Sequence, residues 1–264
     1  MKYDVTVSIV NYNDYSRVKE AIRSILEYTR GIKIKIYVVD NASSDSSADK
    51  IANEFSNVSV ILCDRNLGYG SANNIVIKHV DSKYHAIINP DILLRSNALK
   101  ELYDFMEQHK DVGMCMPAVF FKDGNPQYLP KRDPKLKYLI ANRMPGGSLE
   151  KYRKHYTMQD EDLSQVRDIE FISGCFMFAQ TELLKEAGGF DERFFMYFED
   201  ADLSRTIRRR TRLVYVPQVH VYHDYRRISA KKVRFFMIHI TSMFKYFFKW
   251  RNDDPALYQR SGLT

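Results

Sequence analysis

The first 120 residues alternate short β-branched segments with longer amphipathic ones, and this alternation limits the possible folds more than any other feature. Four segments have the pattern of strands: Val5–Val10, Lys33–Val39, Val58–Leu62 and His85–Ile88. Four others place apolar residues at three- and four-residue spacing, which predicts helices: Tyr15–Tyr28, Ala48–Phe55, Ser71–Val80 and Asn97–His109. Strand–helix alternation predicts an α/β fold with a mostly parallel sheet and helices on both faces.

The loop that follows each predicted strand is rich in Asp and Asn. These loops are "NYND" (Asn11–Asp14), "DNASSDSS" (Asp40–Ser47), "DRNLGYGSANN" (Asp64–Asn74) and "NPD" (Asn89–Asp91). Turn and N-cap chemistry explains any one of them, because Asp, Asn and Ser are preferred at both positions. In parallel sheets, however, ligands bind beyond the carboxyl ends of the strands. Four such loops in succession therefore predict a site for a polar, phosphorylated ligand.

Composition and charge restrict the class of protein. The chain has 264 residues, 45% hydrophobic and 28% charged, which is typical of a soluble globular protein with a sizeable core. Three widely spaced cysteines without a CxxC pair indicate reduced thiols in a cytoplasmic protein and no zinc site. No apolar run approaches the ~18 residues of a membrane span. We therefore expect a protein that does not cross the bilayer.

The net charge of +7 is concentrated near the C-terminus. Between Arg205 and Arg251 we count thirteen Lys and Arg residues against one acidic residue, Asp224. This imbalance predicts a polyanionic partner such as a phosphate, a nucleic acid or an anionic membrane. Nucleic acid is the least favoured of these, because the acidic loops would repel it.

Six segments in order suggest a family: "VSIVNYN", "VVDNASSD", "NLGYGSANN", "INPDI", "SGCFMFAQTELLKEAGGFDERFFMYFEDADL" and "YVPQVHVYH". Together they resemble the inverting family-2 glycosyltransferases, in particular bacterial rhamnosyltransferases of O-antigen and related cell-surface polysaccharides. The resemblance spans Val5 to His223. It implies a Rossmann-like GT-A domain over residues 1–225, with a nucleotide-sugar half (1–120) and an acceptor half (121–225). Within the second half, residues 122–168 have the pattern of an irregular insertion, and Phe171–Gln180 has that of a buried strand. Beyond this half, residues 226–264 form a basic amphipathic region.

The resemblance also implies a nucleotide-sugar site at the strand ends. Asp40 would accept a hydrogen bond from the pyrimidine base, and Asn11 would line the same pocket. A carboxylate suits this role because it can accept from the N3–H of uracil or thymine. The remaining residues that we assign to this site are Asn41, Asn66, Gly68, Asn73, Asn89 and Arg226.

A divalent metal is implied as well. Asp91 lies where the family keeps an Asp-x-Asp motif, although Asn89 replaces the first aspartate here. One carboxylate is enough for Mg²⁺ or Mn²⁺ if diphosphate oxygens and water complete the octahedron. His223 matches a late histidine of the family and would approach the metal or the diphosphate from the other side. The simpler alternatives are an ordinary turn at Asp91 and a structural histidine.

The segment "FFMYFEDADLSRTIRRR" (Phe194–Arg210) places three acids behind a run of aromatic residues. The resemblance implies that Asp200 is the general base, which must take the proton of a weakly acidic sugar hydroxyl. Phe195 and Tyr197 would provide an apolar wall for a sugar ring, and Glu199 would orient Asp200 or bind acceptor hydroxyls. We expect Asp202 to cap the helix that follows. In the alternative interpretation, all three acids serve only as caps.

The resemblance implies transfer of a sugar with inversion, with dTDP-L-rhamnose as the donor and a polyprenyl-diphosphate-linked saccharide as the acceptor. Transfer from another donor, UDP-glucose or UDP-galactose, remains open. A sugar nucleotidyltransferase is less favoured, because "NYNDYS" lacks the usual Gly-rich basic loop.

A last amphipathic segment runs from Lys231 to Trp250. Its apolar residues are predicted to share one side: Phe236, Ile240, Met243, Phe244, Phe247 and Phe248. Basic residues at the edges make this the pattern of a helix in a membrane interface. We therefore expect peripheral association with the cytoplasmic face of the membrane. Packing of the helix against the protein's own core is the alternative.

Overall fold

A computed structural model describes residues 1–143, 146–224 and 233–253. Its elements follow one another in this order: β1 (Tyr3–Asn11), α1 (Tyr15–Tyr28), β2 (Ile34–Asp40), α2 (Ser47–Glu54), β3 (Val58–Leu62), α3 (Tyr69–Ile77), β4 (Ser82–Ile88), β5 (Ile92–Leu94), α4 (Ala98–Gln108), β6 (Val112–Phe120), β7 (Pro126–Gln127), α5 (Leu136–Arg143), α6 (Glu150–Tyr156), β8 (Arg167–Asp168), β9 (Phe176–Gln180), α7 (Thr181–Glu186), α8 (Glu199–Arg208), β10 (Arg212–His223) and α9 (Val233–Lys249). The four strands and four helices predicted in the first half are confirmed.

One sheet connects both halves of the chain, in the order β3-β2-β1-β4-β9-β6-β10-β5. Strands β3, β2, β1 and β4 are parallel, so their carboxyl ends share one edge. Strand β9 runs antiparallel between β4 and β6, while β6 and β10 are parallel to each other. Helices cover both faces of this mostly parallel sheet, which confirms the predicted fold class.

The structure differs from the prediction at two places in the second half and at the end of the first half. The segment 122–168 is not irregular throughout, since it contains α5 and α6. The strand expected over Phe171–Gln180 begins only at Phe176, because residues 174–175 form a turn. Strand β6 was missed. Its side chains are buried on both faces, so it lacks the alternating pattern that marks a half-exposed strand.

A polar network ties β1, β4 and α3 together inside the first half. His85 is fully buried, with Nδ1 2.8 Å from Thr6 Oγ1 and Nε2 3.1 Å from Ser8 Oγ. Ser8 in turn donates to Asn73 Oδ1 at 2.7 Å. Burial lowers the pKa of His85 to about 3, so the imidazole is neutral in the folded protein. The parallel strands that carry the site are thus held by side chains as well as by backbone.

The predicted C-terminal helix is present as α9, and one side of it packs on the second half of the domain. Tyr246 is fully buried beside Phe194 and Phe198, and Ser242 donates to the Met196 carbonyl at 2.8 Å. Met243 and Phe247, which were placed on the exposed apolar side, also pack in this cluster. The helix has seventeen residues, and no helix in the described ranges is long and apolar enough to cross a bilayer.

Candidate active site

The ends of β1 and β2 bring Asn11 and Asp40 side by side. The two residues are paired in the sheet register, and Asn11 Nδ2 donates to Asp40 Oδ2 at 2.7 Å. The backbone N–H of Ser43 donates to the other carboxylate oxygen at 2.8 Å. Asp40 is only 3% exposed, so its side chain is held in one orientation. The structure thus brings together the two residues assigned to the base pocket.

The next loop is fastened to this pair by side-chain amides. Asn41 Nδ2 donates to Asn66 Oδ1 at 3.0 Å, and Asn41 Oδ1 accepts the Leu67 N–H at 2.8 Å. Asn66 Oδ1 also accepts the Gly68 N–H at 3.0 Å. The loops after β2 and β3 therefore form one hydrogen-bonded unit at the edge of the sheet.

Gly68 connects this unit to the segment in front of α8. Its φ is +85°, and a Cβ atom at this position would lie 2.2 Å from the Phe195 carbonyl oxygen. The next residue, Tyr69, donates its N–H to that same carbonyl at 3.1 Å. Only glycine permits this approach. Phe195 itself, predicted to line the acceptor wall, is thus engaged through its backbone with the donor loop.

Two residues assigned to the nucleotide-sugar site are not brought to it. Asn73 lies in α3 and is fully buried, with its amide bonded to Ser8 and to the Tyr69 carbonyl. Asn73 therefore belongs to the polar network of the core. The sequence pattern does not distinguish a buried Asn of this kind from one at the ligand site. Arg226 lies outside the described residues.

Asp91 and His223 meet because β5 pairs antiparallel with the end of β10, which sets His223 opposite Ile92. His223 Nε2 lies 3.2 Å from Asp91 Oδ1. Gln127 donates from Nε2 to the His223 carbonyl at 3.2 Å, so its Oε1 faces His223 Nδ1 at 3.0 Å. That oxygen can only accept, which places a ring proton on Nδ1, and Nε2 is the ring nitrogen that faces Asp91.

This arrangement fits a divalent cation. Asp91 Oδ1 is buried and accepts no hydrogen bond from the described residues, and His223 Nε2, which can ligate a metal in the neutral imidazole, lies 3.2 Å from it. A ligating histidine normally donates its other N–H to an acceptor, as His223 does to Gln127. No group of three or more His, Cys, Asp or Glu side chains with metal-binding geometry occurs in the described part of the chain. Two protein ligands would therefore share the ion with diphosphate oxygens and water.

Asn89 supports this loop through its backbone. Its N–H donates to the Cys175 carbonyl at 2.9 Å, and its own carbonyl accepts the Ile92 N–H at 3.1 Å. These two bonds fix the turn in which Asp91 lies. The side chain of Asn89 is half-buried.

In front of α8 the backbone is strained. Tyr197 and Phe198 have φ values of 69° and 66°, in the left-handed region that bulky residues rarely adopt. Each such residue costs about 1–3 kcal/mol and persists only where the surroundings enforce it. Here Phe198 is locked in the apolar cluster with Tyr246. The strained turn sets the direction in which Glu199 and Asp200 enter the helix.

Asp200 lines a cavity of about 200 Å³ that the second half and α9 enclose. Its Oδ2 accepts the Gly174 N–H at 3.0 Å, and its Oδ1 accepts the Ala201 N–H at 2.9 Å. The residues around the cavity are Lys131, Pro134, Leu139, Asn142, Tyr156, Phe171, Tyr197, Phe198, Glu199, Asp200, Ala201 and His239. A larger cavity of about 340 Å³ lies along β6 and β7 but includes neither Asp200 nor Asp91.

The two adjacent acids in this cavity differ in their environment. Burial raises the pKa of Asp200, while the Gly174 N–H and the charge of Lys131 oppose the rise. Burial raises the pKa of Glu199 well above its usual range, and the neighbouring Asp200 carboxylate adds to this. Glu199 Oε2 is buried and has no hydrogen-bond partner in the described structure. Glu199 therefore retains its proton more readily, whereas Asp200 is a carboxylate of increased basicity.

Comparison with known proteins now identifies the family, since residues 6–188 match the sequence profile of Glycosyl transferase family 2. The chain belongs to this family. An N-acetylglucosaminyl-diphospho-decaprenol L-rhamnosyltransferase of Mycobacterium tuberculosis is 26% identical over 207 residues, covering 72% of this chain and 66% of that protein. Rhamnosyltransferase WbbL of Escherichia coli is 28% identical over 193 residues, covering 68% of this chain and 69% of that protein. The chain thus spans just under two thirds of the mycobacterial relative.

Solved structures support the fold of this family-2 chain. GalNAc-T7 with UDP, GalNAc and Mn²⁺ matches with a TM-score of 0.66 at 16% identity, over 85% of this chain and 43% of that one. TarS of S. aureus, residues 1–349, matches with a TM-score of 0.60 at 15% identity, over 92% of this chain and 65% of that one. The predicted GT-A fold and family are confirmed.

One acid of the family-2 chain does not have the role expected for it. Asp202 does not cap α8, because its carboxylate accepts from Trp250 Nε1 at 2.8 Å and from Lys249 Nζ at 2.7 Å. The residue before α8 also provides no side-chain cap. The alternative interpretation, in which all three acids serve as helix caps, is therefore wrong for Asp202. This residue instead anchors α9.

Sequence reasoning missed three residues that the fold brings to the site. Gln127 orients His223, while Lys131 and His239 line the cavity beside Asp200. They come from β7, from the segment before α5 and from α9, so no local motif connects them. Gln127 and Lys131 lie in the segment 122–168, whose pattern predicted only an irregular insertion.

Proposed function

We propose that the protein transfers one sugar, with inversion, from a nucleoside-diphosphate sugar to a saccharide carried on a polyprenyl diphosphate. The proposed donor is dTDP-L-rhamnose and the proposed context is cell-surface polysaccharide synthesis. Two relatives named as rhamnosyltransferases support the donor, and the name of the mycobacterial relative supports a diphosphate-linked acceptor. The observation that carries the proposal is the placement of a basic carboxylate, Asp200, in a cavity large enough for a sugar ring.

The base pocket is proposed at Asn11 and Asp40. Asp40 already accepts two hydrogen bonds, yet a carboxylate has about four acceptor sites. It can therefore still accept the N3–H of a pyrimidine. Because its position is fixed by Asn11 and Ser43, binding the base requires little rearrangement.

Asp91 and His223 are the proposed ligands of Mg²⁺ or Mn²⁺. When bound, the ion would neutralise charge on the diphosphate leaving group. His223 is held ready by Gln127, and Asp91 by the turn that begins at Asn89.

Asp200 is the proposed general base. It takes the proton of an acceptor hydroxyl while that oxygen attacks the anomeric carbon from the face opposite the diphosphate. A single direct displacement inverts the anomeric configuration. The Gly174 N–H holds Asp200 Oδ2, and Tyr197 provides part of the apolar wall beside it.

An anionic membrane surface on the cytoplasmic side is the proposed partner of α9. The side of α9 opposite Tyr246 exposes large apolar residues: Val233 (80%), Phe236 (48%), Met237 (55%), Phe244 (66%) and Phe248 (68%). Exposed basic residues lie beside them at Arg234, Lys245 and Arg251. Helix α5, whose Leu139 and Asn142 line the Asp200 cavity, also exposes Leu136 and Ile140. The apolar surface therefore adjoins the acceptor cavity, as access to a lipid-linked substrate requires.

The donor is tested by thermal shift with dTDP, UDP and GDP, each with and without Mn²⁺. We expect the largest stabilisation with dTDP and Mn²⁺, because a ligand that binds the folded state raises the melting temperature. Transfer assays with dTDP-L-rhamnose then identify the anomer of the product. A preference for UDP would favour the glucose or galactose alternative, and a product that retains the donor configuration would contradict the mechanism.

The membrane surface is tested by co-sedimentation with vesicles of phosphatidylglycerol and phosphatidylcholine. The variant Met237→Ser/Phe244→Ser/Phe248→Ser should lose binding, whereas Leu62→Ser, which removes an equally exposed residue on β3, should not. All three substituted residues are exposed, so the fold should persist. Equal binding of both variants, or no binding of the wild type, would contradict the proposal.

A further inference from the structure

Lys131 is a half-buried cation in the Asp200 cavity. Its ammonium group lies over the rings of Phe171 and Tyr156, at 5.1 and 5.8 Å from their centroids. Its backbone is fixed by a β-bridge to Phe171. Among the described residues, no carboxylate lies within ion-pair distance of its Nζ. Buried arginines of the same half differ in this respect, since Arg208 pairs with Asp133 at 2.5 Å.

Leaving an ammonium group partly buried without a carboxylate is unfavourable, because desolvation favours the neutral form. Burial does lower the pKa of Lys131, and the nearby charge of Asp200 opposes this. The aromatic rings recover only part of this cost through cation–π contacts. Asp200 lies beyond ion-pair distance, so the described structure leaves room for an anion from outside the chain to complete the site at Lys131.

A second cation lies near this cavity, next to the lining residue Asn142, but does not line the cavity itself. Arg143, at the end of α5, is exposed and stacks over Phe236 of α9 at 5.0 Å. Its charge contributes, after burial, to the lowered pKa of His239, which is about 4, and His239 lines the cavity. The ring Nδ1 of His239 is buried and lacks a hydrogen-bond partner in the described structure. One cation, Lys131, and one unsatisfied polar atom, His239 Nδ1, thus lie at the cavity, with Arg143 nearby.

We propose that Lys131 binds the phosphate that joins the acceptor sugar to its lipid carrier, with Arg143 at the adjoining phosphate. This inference rests on the proposed function and specifies the acceptor. The cavity of about 200 Å³ is smaller than the roughly 300–1,000 Å³ of pockets for drug-sized ligands, so it accommodates one sugar ring. In this proposal one sugar ring places a hydroxyl at Asp200 and the phosphate bonded to that same ring at Lys131. Only the sugar attached directly to the diphosphate carries such a phosphate. The enzyme therefore acts on the first sugar of the carrier-linked saccharide.

Binding is tested with geranyl diphosphate as the probe, titrated by calorimetry into the protein in the presence of Mg²⁺. Lys131→Met should weaken binding about 10- to 100-fold, the value of one hydrogen bond to a charged group. Lys137→Met is the matched control, because Lys137 lies in the same segment but outside the cavity. Lys131→Arg should retain most of the affinity.

The donor site also binds diphosphates in this proposal, so a further variant separates the two sites. Asp91→Ala should leave the affinity for geranyl diphosphate unchanged if the probe binds at Lys131. If Asp91→Ala abolishes binding while Lys131→Met does not, the probe occupies the donor site and the inference is wrong. This measurement needs no transfer activity, so its result is independent of whether the proposed reaction is correct.

Transfer assays show whether the phosphate contact determines acceptor choice. The acceptors are N-acetylglucosamine linked through diphosphate to a short alkyl chain, and the octyl glycoside that lacks the diphosphate. Lys131→Met should raise KM for the first acceptor about tenfold or more and leave KM for the second nearly unchanged. Both are measured at a pH where Asp200 is ionised, because loss of Lys131 also raises the pKa of Asp200. Equal losses with both acceptors would mean that Lys131 acts only through Asp200, which contradicts the inference.

Discussion

In the loops after β1, β2 and β3 the polar side chains bond to one another, whereas two polar atoms in the cavity beside Asp200 have no hydrogen-bond partner among the described residues. Asp40 and Asn41 each receive hydrogen bonds from neighbouring loops. Glu199 Oε2 and His239 Nδ1 are buried without a partner in the described ranges. The first region is pre-organised during folding, while the second leaves groups for a ligand to satisfy.

The difference has energetic consequences. A pre-organised loop has already lost its conformational entropy, so a ligand binds with little further ordering cost. An unsatisfied buried polar group costs about 1–3 kcal/mol, which a substrate with matching groups can recover on binding. We therefore expect substitutions in the loops to reduce stability and substitutions in the cavity to reduce function.

Asp200→Asn should have the largest effect. The change removes the base with little change in volume, and loss of a general base typically costs about 10²–10⁴ in kcat. Binding of the nucleoside diphosphate, measured by calorimetry, should remain within about twofold, because the donor loops are separate. Near-wild-type turnover would show that Asp200 is not the base, and loss of nucleotide binding would mean that the two regions are not independent.

Gly68→Ala should break the contact between the two regions. The new methyl group would collide with the Phe195 carbonyl, and the φ of +85° is strained for any other residue. We expect a loss of at least about 2 kcal/mol in the free energy of unfolding, measured in urea. Gly124→Ala is the control, since its φ is also positive, at +88°, but no atom lies within 4 Å of its Cβ position. If both variants lose the same stability, backbone strain alone explains the effect.

Gln127→Leu should weaken binding of Mn²⁺ in the presence of a nucleoside diphosphate about 10- to 100-fold. Removal of the acceptor at His223 Nδ1 frees the imidazole to change tautomer, and residues behind a metal ligand typically have effects of this size. Titration calorimetry of the wild type and the variant provides the measurement. Unchanged affinity would mean that His223 does not bind the ion.

Glu199→Gln should have the smallest effect, less than about threefold in kcat. Because burial and Asp200 raise the pKa of Glu199, it is a neutral acid, and a glutamine has nearly the same shape and charge. We expect activity to fall as the pH decreases through the raised pKa of Asp200. This acidic limb of the pH–activity profile should stay at the same pH in the variant. A limb displaced by one pH unit or more would identify Glu199 as the titrating group.

Much of the first half followed from the sequence because its signals are local. Helical spacing and β-branched runs predicted β1 to β4 and α1 to α4. Because the strands are parallel, Asn11 and Asp40 then lie together at the carboxyl-end edge of the sheet. The ordered motifs predicted the family, which the profile match over residues 6–188 confirms. Asp200 was named from its motif, and the structure adds the cavity and the Gly174 contact.

What only the tertiary structure decided are the contacts between segments distant in the chain. Asn73 was assigned to the nucleotide-sugar site because of the polar residues next to it in the sequence. In the structure it lies in the core, where its side chain accepts a hydrogen bond from Ser8, 65 residues away. Asp202 was expected to cap a helix, yet Lys249 and Trp250 bind it across 47 and 48 residues. Lys131 lies in no recognised motif, and the role proposed for it depends on its burial and on the lack of an ion-pair partner among the described residues. A sequence pattern records which groups are present, whereas burial and pairing arise only when the chain has folded around them.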